Sequence, residues 1–238
     1  MVTKKTGAAK SKVTAPKSKT KEVTALPDQS IAALWKGLEA EGVTVHYRPV
    51  TKAEIAKAET TLKCKFPPSY VELVTTVGAP GVINPHLPPR CDPEIPWNMI
   101  CAVLTPAEIA KLTRELRCGF DPDMFEDPET FPRLRRQFAQ AIFFQYDSDP
   151  NNGFVFLLNT VDERGEPKVG EYVHDYLDEI DWDAGDAVLA SMWEATRKAI
   201  ENIKSTLNSI KAAFNSISAS NDKLSRQSDS PASVPEGE

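Results

Sequence analysis

The chain has 238 residues and a formal net charge of −6, with 41% hydrophobic and 26% charged residues. This composition is typical of a globular protein, and no apolar run approaches the roughly 18 residues that a membrane helix needs, so integral membrane, collagenous and wholly disordered classes are excluded. The charge is uneven, because the first 21 residues hold seven lysines and no acid, which leaves −13 on the rest of the chain.

The composition predicts one domain between two tails. Residues 1–27 contain too few large apolar side chains to offset the entropy cost of ordering, so we predict a disordered, Lys-rich N-terminal tail. Residues 218–238 are polar and rich in Ser and Pro, which predicts a second disordered tail. Residues 28–217 are enough for a single domain. Since no signal or transit peptide pattern precedes this domain, we expect a cytoplasmic protein.

Helix signals dominate the first half of the domain. Ser30 is a favourable N-cap before an apolar pattern with helical spacing. Thr51–Glu54 and Thr105–Glu108 are capping boxes, in which the Thr hydroxyl accepts from the Glu amide and the Glu carboxylate accepts from the Thr amide. The Pro67-Pro68 pair ends one helix and begins the next. These signals predict at least four helices before residue 120.

Strand signals come later. Residues 141–146, 154–158 and 169–173 are short segments rich in aromatic and β-branched side chains, and residues 97–103 form a weaker candidate. We predict a turn-rich loop over residues 147–153. Successive strands on short connections favour antiparallel pairing, so the predicted fold class is α+β, with a mainly antiparallel sheet packed against helices.

A long C-terminal helix is predicted by apolar residues spaced alternately by four and three positions. These residues are Leu189, Trp193, Thr196, Ile200, Ile203, Leu207, Ile210, Phe214 and Ile217. We favour packing of this seam on its own domain, because the flanking charges of a coiled coil are sparse. The alternative beyond Ile200 is a docking face for a second helix, including that of a homodimer.

Catalytic and metal-binding motifs are missing from the sequence. It contains no GxSxG, P-loop, GxGxxG after a strand or HExxH, and the cysteines form no CxxC pair. The three histidines lie far apart: His46, His86 and His174. We interpret His174 beside Asp175 as a strand-end histidine rather than an acid/base pair. The sequence therefore predicts a protein that is not an enzyme, with no catalytic residue, cofactor or metal site.

A spaced motif occupies residues 51–81. It consists of Ile55, Glu59, Leu62, Phe66, Pro67, Tyr70 and Leu73. This pattern resembles the opening motif of the SUKH superfamily, to which the fungal Smi/Knr cell-wall regulators and many bacterial immunity proteins belong. Features downstream extend the resemblance over residues 51–200. It implies a SUKH-like α+β fold and a protein-binding function, either toxin immunity or regulation.

Acidic residues concentrate between positions 121 and 186, where seventeen acids face five bases. Such a field accelerates association with a cationic partner and repels nucleic acid. With the resemblance, it predicts an immunity protein that neutralises a basic, nuclease-like toxin and binds neither nucleic acid nor membranes. The predicted contact residues are Asp147, Asp149, Tyr172, Asp175, Tyr176, Asp178, Asp181, Trp182 and Asp183. The alternative function is a regulatory scaffold of the Smi/Knr type that uses its tails and helical seam.

Overall fold

The computed structural model describes residues 30–83, 99–119, 123, 127, 129–147, 149–176 and 179–228. The predicted tail over residues 1–27 lies outside these residues, as does Asp178. None of the described helices combines the length and the apolar character that crossing a bilayer requires.

The described helices and strands alternate irregularly along the chain. The helices are α1 (Ile31–Ala40), α2 (Lys52–Leu62), α3 (Pro68–Thr76), α4 (Pro106–Cys118), α5 (Thr130–Ala139) and α6 (Met192–Ser228). The strands are β1 (Val45–Arg48), β2 (Ala79–Ile83), β3 (Met99–Val103), β4 (Ala141–Asp147), β5 (Asp149–Leu157), β6 (Lys168–Val173) and β7 (Val188–Leu189). Short 3-10 turns follow β5 and β6, at Leu158–Thr160 and His174–Tyr176.

All seven described strands form one antiparallel sheet in the order in which they occur in the chain. This arrangement confirms the predicted α+β class. The sequence did not predict β1 or β2, because β1 has four residues and β2 contains Pro80 and Gly81, which disfavour strands. Pairing of β1 with β2 stabilises both strands although their own strand propensity is low. In this pair, Val45 of β1 lies opposite Val82 of β2.

Local capping starts the helices where the sequence predicts. The hydroxyl of Ser30 accepts from the Ala33 amide at 3.2 Å. In the first capping box, the Glu54 amide donates to Thr51 Oγ1 at 3.2 Å and the Thr51 amide donates to Glu54 Oε2 at 2.7 Å. The second box, at Thr105–Glu108, is closed in the same reciprocal way. The predicted N-termini of α1, α2 and α4 are confirmed.

Helix α5 was not predicted. It follows a Pro- and acid-rich segment and contains Pro132 in its first turn. Proline is tolerated there because the first amides of a helix have no intrahelical acceptor. Leu134 and Phe138 are buried on its inner face, so tertiary packing stabilises a helix with little local signal.

Aromatic side chains pack against both faces of the sheet. On one face Phe144 stacks on Phe156 with ring centroids 3.8 Å apart, and Tyr70 of α3 meets Phe156 edge-on at 6.2 Å. On the other face Phe143 of β4 lies edge-on to Tyr172 of β6 at 5.2 Å. The sheet therefore has a core on each side.

The seam of α6 packs on the domain, as favoured from the sequence, and then leaves it. Ile203 is fully buried, Leu207 and Ile210 are partly buried against the core, and Ile217 is 57% exposed. The helix continues to Ser228, past residue 217, where the sequence analysis placed the end of the domain. Its range contains neither Gly nor Pro, so nothing in the local sequence stops it there.

The predicted loop over residues 147–153 is largely strand. Strand β4 extends to Asp147 and β5 begins at Asp149, and the Cα atoms of these two residues are paired. Gly153, interpreted as a turn residue, lies in the ladder opposite Tyr146. A Cβ atom at this position would lie 2.0 Å from the Gln145 carbonyl oxygen, so glycine permits the close approach of the strands.

Candidate partner-binding surface

Asp147, the first predicted contact residue, faces the domain instead of solvent. Its Oδ2 accepts a hydrogen bond from Asn202 Nδ2 of α6 at 2.6 Å. Burial under this helix raises the pKa of Asp147 to about 6. The half-buried side chain of Asp147 therefore joins β4 to α6, and its predicted contact with a partner stays a prediction.

Tyr172 and Trp182 were predicted as surface aromatic anchors, but both lie in the core. Tyr172 is 4% exposed and Trp182 is 7% exposed. The indole Nε1 of Trp182 donates to the Glu171 carbonyl at 2.9 Å, and the ring lies over Gly170, which leaves room for it. Both rings also lie edge-on to Phe138 of α5. Their burial removes them from any surface contact.

The segment between β6 and α6 carries carboxylates with different roles. Asp181 is half-buried and stabilises a turn, since its Oδ1 accepts from Gln137 Nε2 at 2.6 Å and from the Asp183 amide at 3.0 Å. Asp183 itself is exposed, as are Glu179 and Asp186, which the sequence analysis did not include among the contact residues. Exposure, which composition alone does not reveal, distinguishes these acids from Asp181.

Asp175 is also exposed and belongs to the turn after β6. Its Oδ1 lies 3.2 Å from His174 Nδ1, at the end of the strand, where the sequence predicted a strand-end histidine. The backbones of Asp149 and Tyr176 are described, the first at the start of β5 and the second at the end of the same turn.

The predicted contact residues do not form one patch. The pairing of Asn152 with Val173 brings the start of β5 and the end of β6 to the same end of the sheet, so Asp149 and Asp175 belong there. Asp183 lines a small cavity beside Leu157, at the opposite end of β5. The predicted acidic contact residues therefore belong to opposite ends of β5 rather than to one point.

A groove of about 540 Å³ is a feature that the sequence analysis missed. The N-terminal ends of α1, α3 and α6 and the connection between β5 and β6 line it. Its apolar lining includes Ile31, Leu73 and Met192. On its rim, Glu166 accepts from both the amide and the hydroxyl of Ser69 at 2.7 Å, which satisfies the first turn of α3.

Candidate metal ligands and free thiols occur among the described side chains. Among them, no group of three or more His, Cys, Asp or Glu residues is arranged to hold a metal ion. Cys101 is fully buried, and burial raises the pKa of its thiol well above the ordinary value, which keeps the sulfur protonated.

The chain was compared with curated proteins and with models of protein families. No curated protein gives a significant match to the chain. The family model described as the SMI1 / KNR4 family (SUKH-1) matches residues 49–188, which contain every element from α2 to β6 and the start of β7. Since this match covers more than half of the 238 residues and the antiparallel α+β fold accords with the predicted resemblance, the chain belongs to the SMI1 / KNR4 family (SUKH-1).

Proposed function

We propose that this protein is an immunity-type binding protein that neutralises a cognate basic toxin through carboxylates exposed between β6 and α6. Family membership supports an immunity or regulatory role. The observation that favours immunity is the state of Glu179, Asp183 and Asp186: all three are exposed, and no described cation lies within ion-pair distance of them. Their charge is available to a partner.

The proposed mechanism is occlusion of the toxin by charge complementarity. Carboxylates on the immunity protein occupy the positions that phosphates of a nucleic acid substrate take on a basic nuclease surface. Asp175 extends the charged surface toward the start of β5, and the predicted contacts Asp149, Tyr176 and Asp178 remain part of the proposal. The activity needs no catalytic group on the immunity protein, so we infer that it acts by binding alone.

Neutralisation is the direct test. Small basic domains encoded by neighbouring reading frames are each expressed in a bacterial host with the full chain, and cell survival is measured. We expect survival with the wild-type chain and loss of protection with the double variant Asp183→Lys/Asp186→Lys. The matched control, Glu72→Lys/Glu115→Lys, makes the same change in net charge at exposed positions on α3 and α4 and keeps protection. Equal protection by both double variants would contradict the proposal.

The choice of substitutions follows from the structure. Asp181→Lys would remove the acceptor of the Gln137 side chain and of the turn amides, so it would unfold the segment rather than test its charge. Asp183 and Asp186 carry no side-chain hydrogen bond among the described contacts. Their reversal changes charge with little effect on the fold.

A regulatory scaffold is the second candidate function, favoured by the outer part of α6. Its apolar seam emerges from the domain beyond Ile210, and Ile217 is more than half exposed. If this segment joins two copies, analytical ultracentrifugation will detect a concentration-dependent dimer that truncation after Ile210 abolishes. Truncation after Ile200 is unsuitable because it removes Ile203, which is fully buried. A monomer at all concentrations would contradict a homodimeric scaffold.

A further inference from the structure

A cavity of about 260 Å³ lies between α4 and α5, and we call it the arginine cavity. Its lining comes from the last turn of α4 and from α5. The lining residues are Leu116, Arg117, Cys118, Phe131, Arg135 and Phe138. The three α5 residues are spaced by four and three positions, which places them on one face of the helix. Two guanidinium groups and three large apolar side chains therefore share this cavity.

Arg117 is held in place by backbone carbonyls. Its Nε donates to the Phe138 carbonyl at 3.1 Å, and its Nη2 donates to the Ala141 carbonyl at 3.1 Å. Phe138 belongs to the last turn of α5, where carbonyls lack an intrahelical donor. The described contacts give Nη1 of Arg117 no acceptor. A guanidinium group whose position is fixed thus keeps a donor for another molecule.

Arg135 supplies the second positive charge of the cavity. Its side chain is exposed, and no described residue accepts a hydrogen bond from it or forms an ion pair with it. None of the described lining residues is an Asp or a Glu. In a chain with a net charge of −6, the described wall of this cavity therefore carries two cations and no anion. Such a wall favours an anionic ligand.

The apolar part of the lining favours an anion that carries an apolar group. Phe138 is 3% exposed, and its ring lies edge-on to Tyr172 and Trp182, so the core holds this wall of the cavity in place. Phe131 and Leu116 are half-buried. An aromatic ring gains from leaving water for such a surface, whereas an inorganic anion loses hydration there without that gain.

We propose that the arginine cavity binds a small aromatic carboxylate. The carboxylate lies on the guanidinium groups of Arg117 and Arg135, and the ring lies against Phe131 and Phe138. A planar guanidinium group matches the two oxygens of a carboxylate, and the resulting charge-assisted hydrogen bonds are stronger than neutral ones. The cavity is slightly smaller than the roughly 300–1,000 Å³ of sites for drug-sized ligands, which favours a compact ligand with one ring. This site shares no residue with the proposed toxin-binding surface and does not depend on it.

Cys118 reports on occupancy, because it is exposed and lines the cavity. Iodoacetamide labelling of Cys118 in the full chain, followed by mass spectrometry of the peptide that contains it, measures access to the cavity. Phenylacetate at about 10 mM should slow this labelling by about tenfold, which corresponds to a dissociation constant of about 1 mM.

Two control compounds separate the ring from the charge. Phenylacetamide has the same ring without the charge, and inorganic phosphate has charge without a ring. At the same concentration, each should change the labelling rate of Cys118 by less than about twofold. Unchanged labelling in phenylacetate would overturn the proposal, as would equal slowing by phenylacetamide or by phosphate.

Arg135→Gln tests the guanidinium group against a matched control on the same helix. Because Arg135 is exposed and has no described hydrogen bond, its replacement should leave α5 folded. With the ligand-free rate of each variant as reference, Arg135→Gln should weaken phenylacetate binding by about tenfold, as expected for one lost charge-assisted hydrogen bond. Arg136→Gln removes the same charge from an exposed neighbour that does not line the cavity, and it should bind within about twofold of the wild type. Equal affinities of the two variants would overturn the proposal.

Discussion

Trp182 and Asp183 are adjacent in the sequence, but their side chains face opposite environments. The indole lies between Gly170 and Phe138 in the core, whereas the carboxylate is exposed. The sequence identifies both as features of an acidic, aromatic segment. It does not reveal which one points outward, because no periodic strand or helix fixes the direction of side chains in this segment. The aromatic residues were therefore assigned to the wrong environment.

This difference predicts opposite mutational effects at adjacent positions. Trp182→Ala should lower the free energy of unfolding by about 3–5 kcal/mol, the range for a large aromatic removed from a core. Asp183→Ala should change it by less than about 0.5 kcal/mol, as is usual at exposed sites. Urea unfolding monitored by circular dichroism measures both. Comparable small effects would mean that Trp182 is not part of the core.

At the level of elements, helices that are specified by neighbouring residues were predicted from the sequence. Elements that depend on tertiary packing were not. The capping boxes at Thr51–Glu54 and Thr105–Glu108 are complete within four residues, so their helices start as predicted. Strand β2 and helix α5 contain prolines and depend on neighbours that are remote in sequence. Their existence follows from pairing and burial, which a local pattern does not encode.

The capping box of α2 provides a prediction with an internal control. Thr51→Ala removes the acceptor of the Glu54 amide and should lower the free energy of unfolding by about 1 kcal/mol. Thr60→Ala makes the same substitution within the same helix, where the exposed hydroxyl only donates to the Ala56 carbonyl at 2.8 Å. It should have little effect or stabilise slightly, because alanine has the higher helix propensity. Thermal or urea unfolding compares the two, and equal effects would argue against the cap.

Helix α6 changes its environment along its length, which predicts a gradient of mutational effects. Ile203→Ala should destabilise the protein by about 2–5 kcal/mol, since the side chain is fully buried. Ile217→Ala should be nearly neutral in a monomer, because the side chain is 57% exposed. Urea unfolding at low protein concentration measures both. A large loss of unfolding free energy with Ile217→Ala would indicate that this end of the helix is buried against other protein atoms.

For the whole molecule, the sequence predicted the fold better than the contact surface. The motif from Ile55 to Leu73 identified the family, and its residues lie on α2, α3 and the turn between them. Residues 121–186 carry a large excess of acids, but individual acids differ in role: Asp147 is half-buried, Asp181 stabilises a turn, and Asp183 is exposed. Composition gives the net charge, whereas folding determines which charges a partner meets.

Association kinetics test the proposed acidic surface most directly. The rate at which the full chain binds the basic toxin domain should fall as salt rises, because long-range attraction between exposed charges is screened. Asp183→Lys/Asp186→Lys should slow association at low salt by roughly tenfold or more and flatten the salt dependence. The control Glu72→Lys/Glu115→Lys should retain most of the wild-type rate and salt dependence. Stopped-flow rates that are equal for the two double variants would contradict the account.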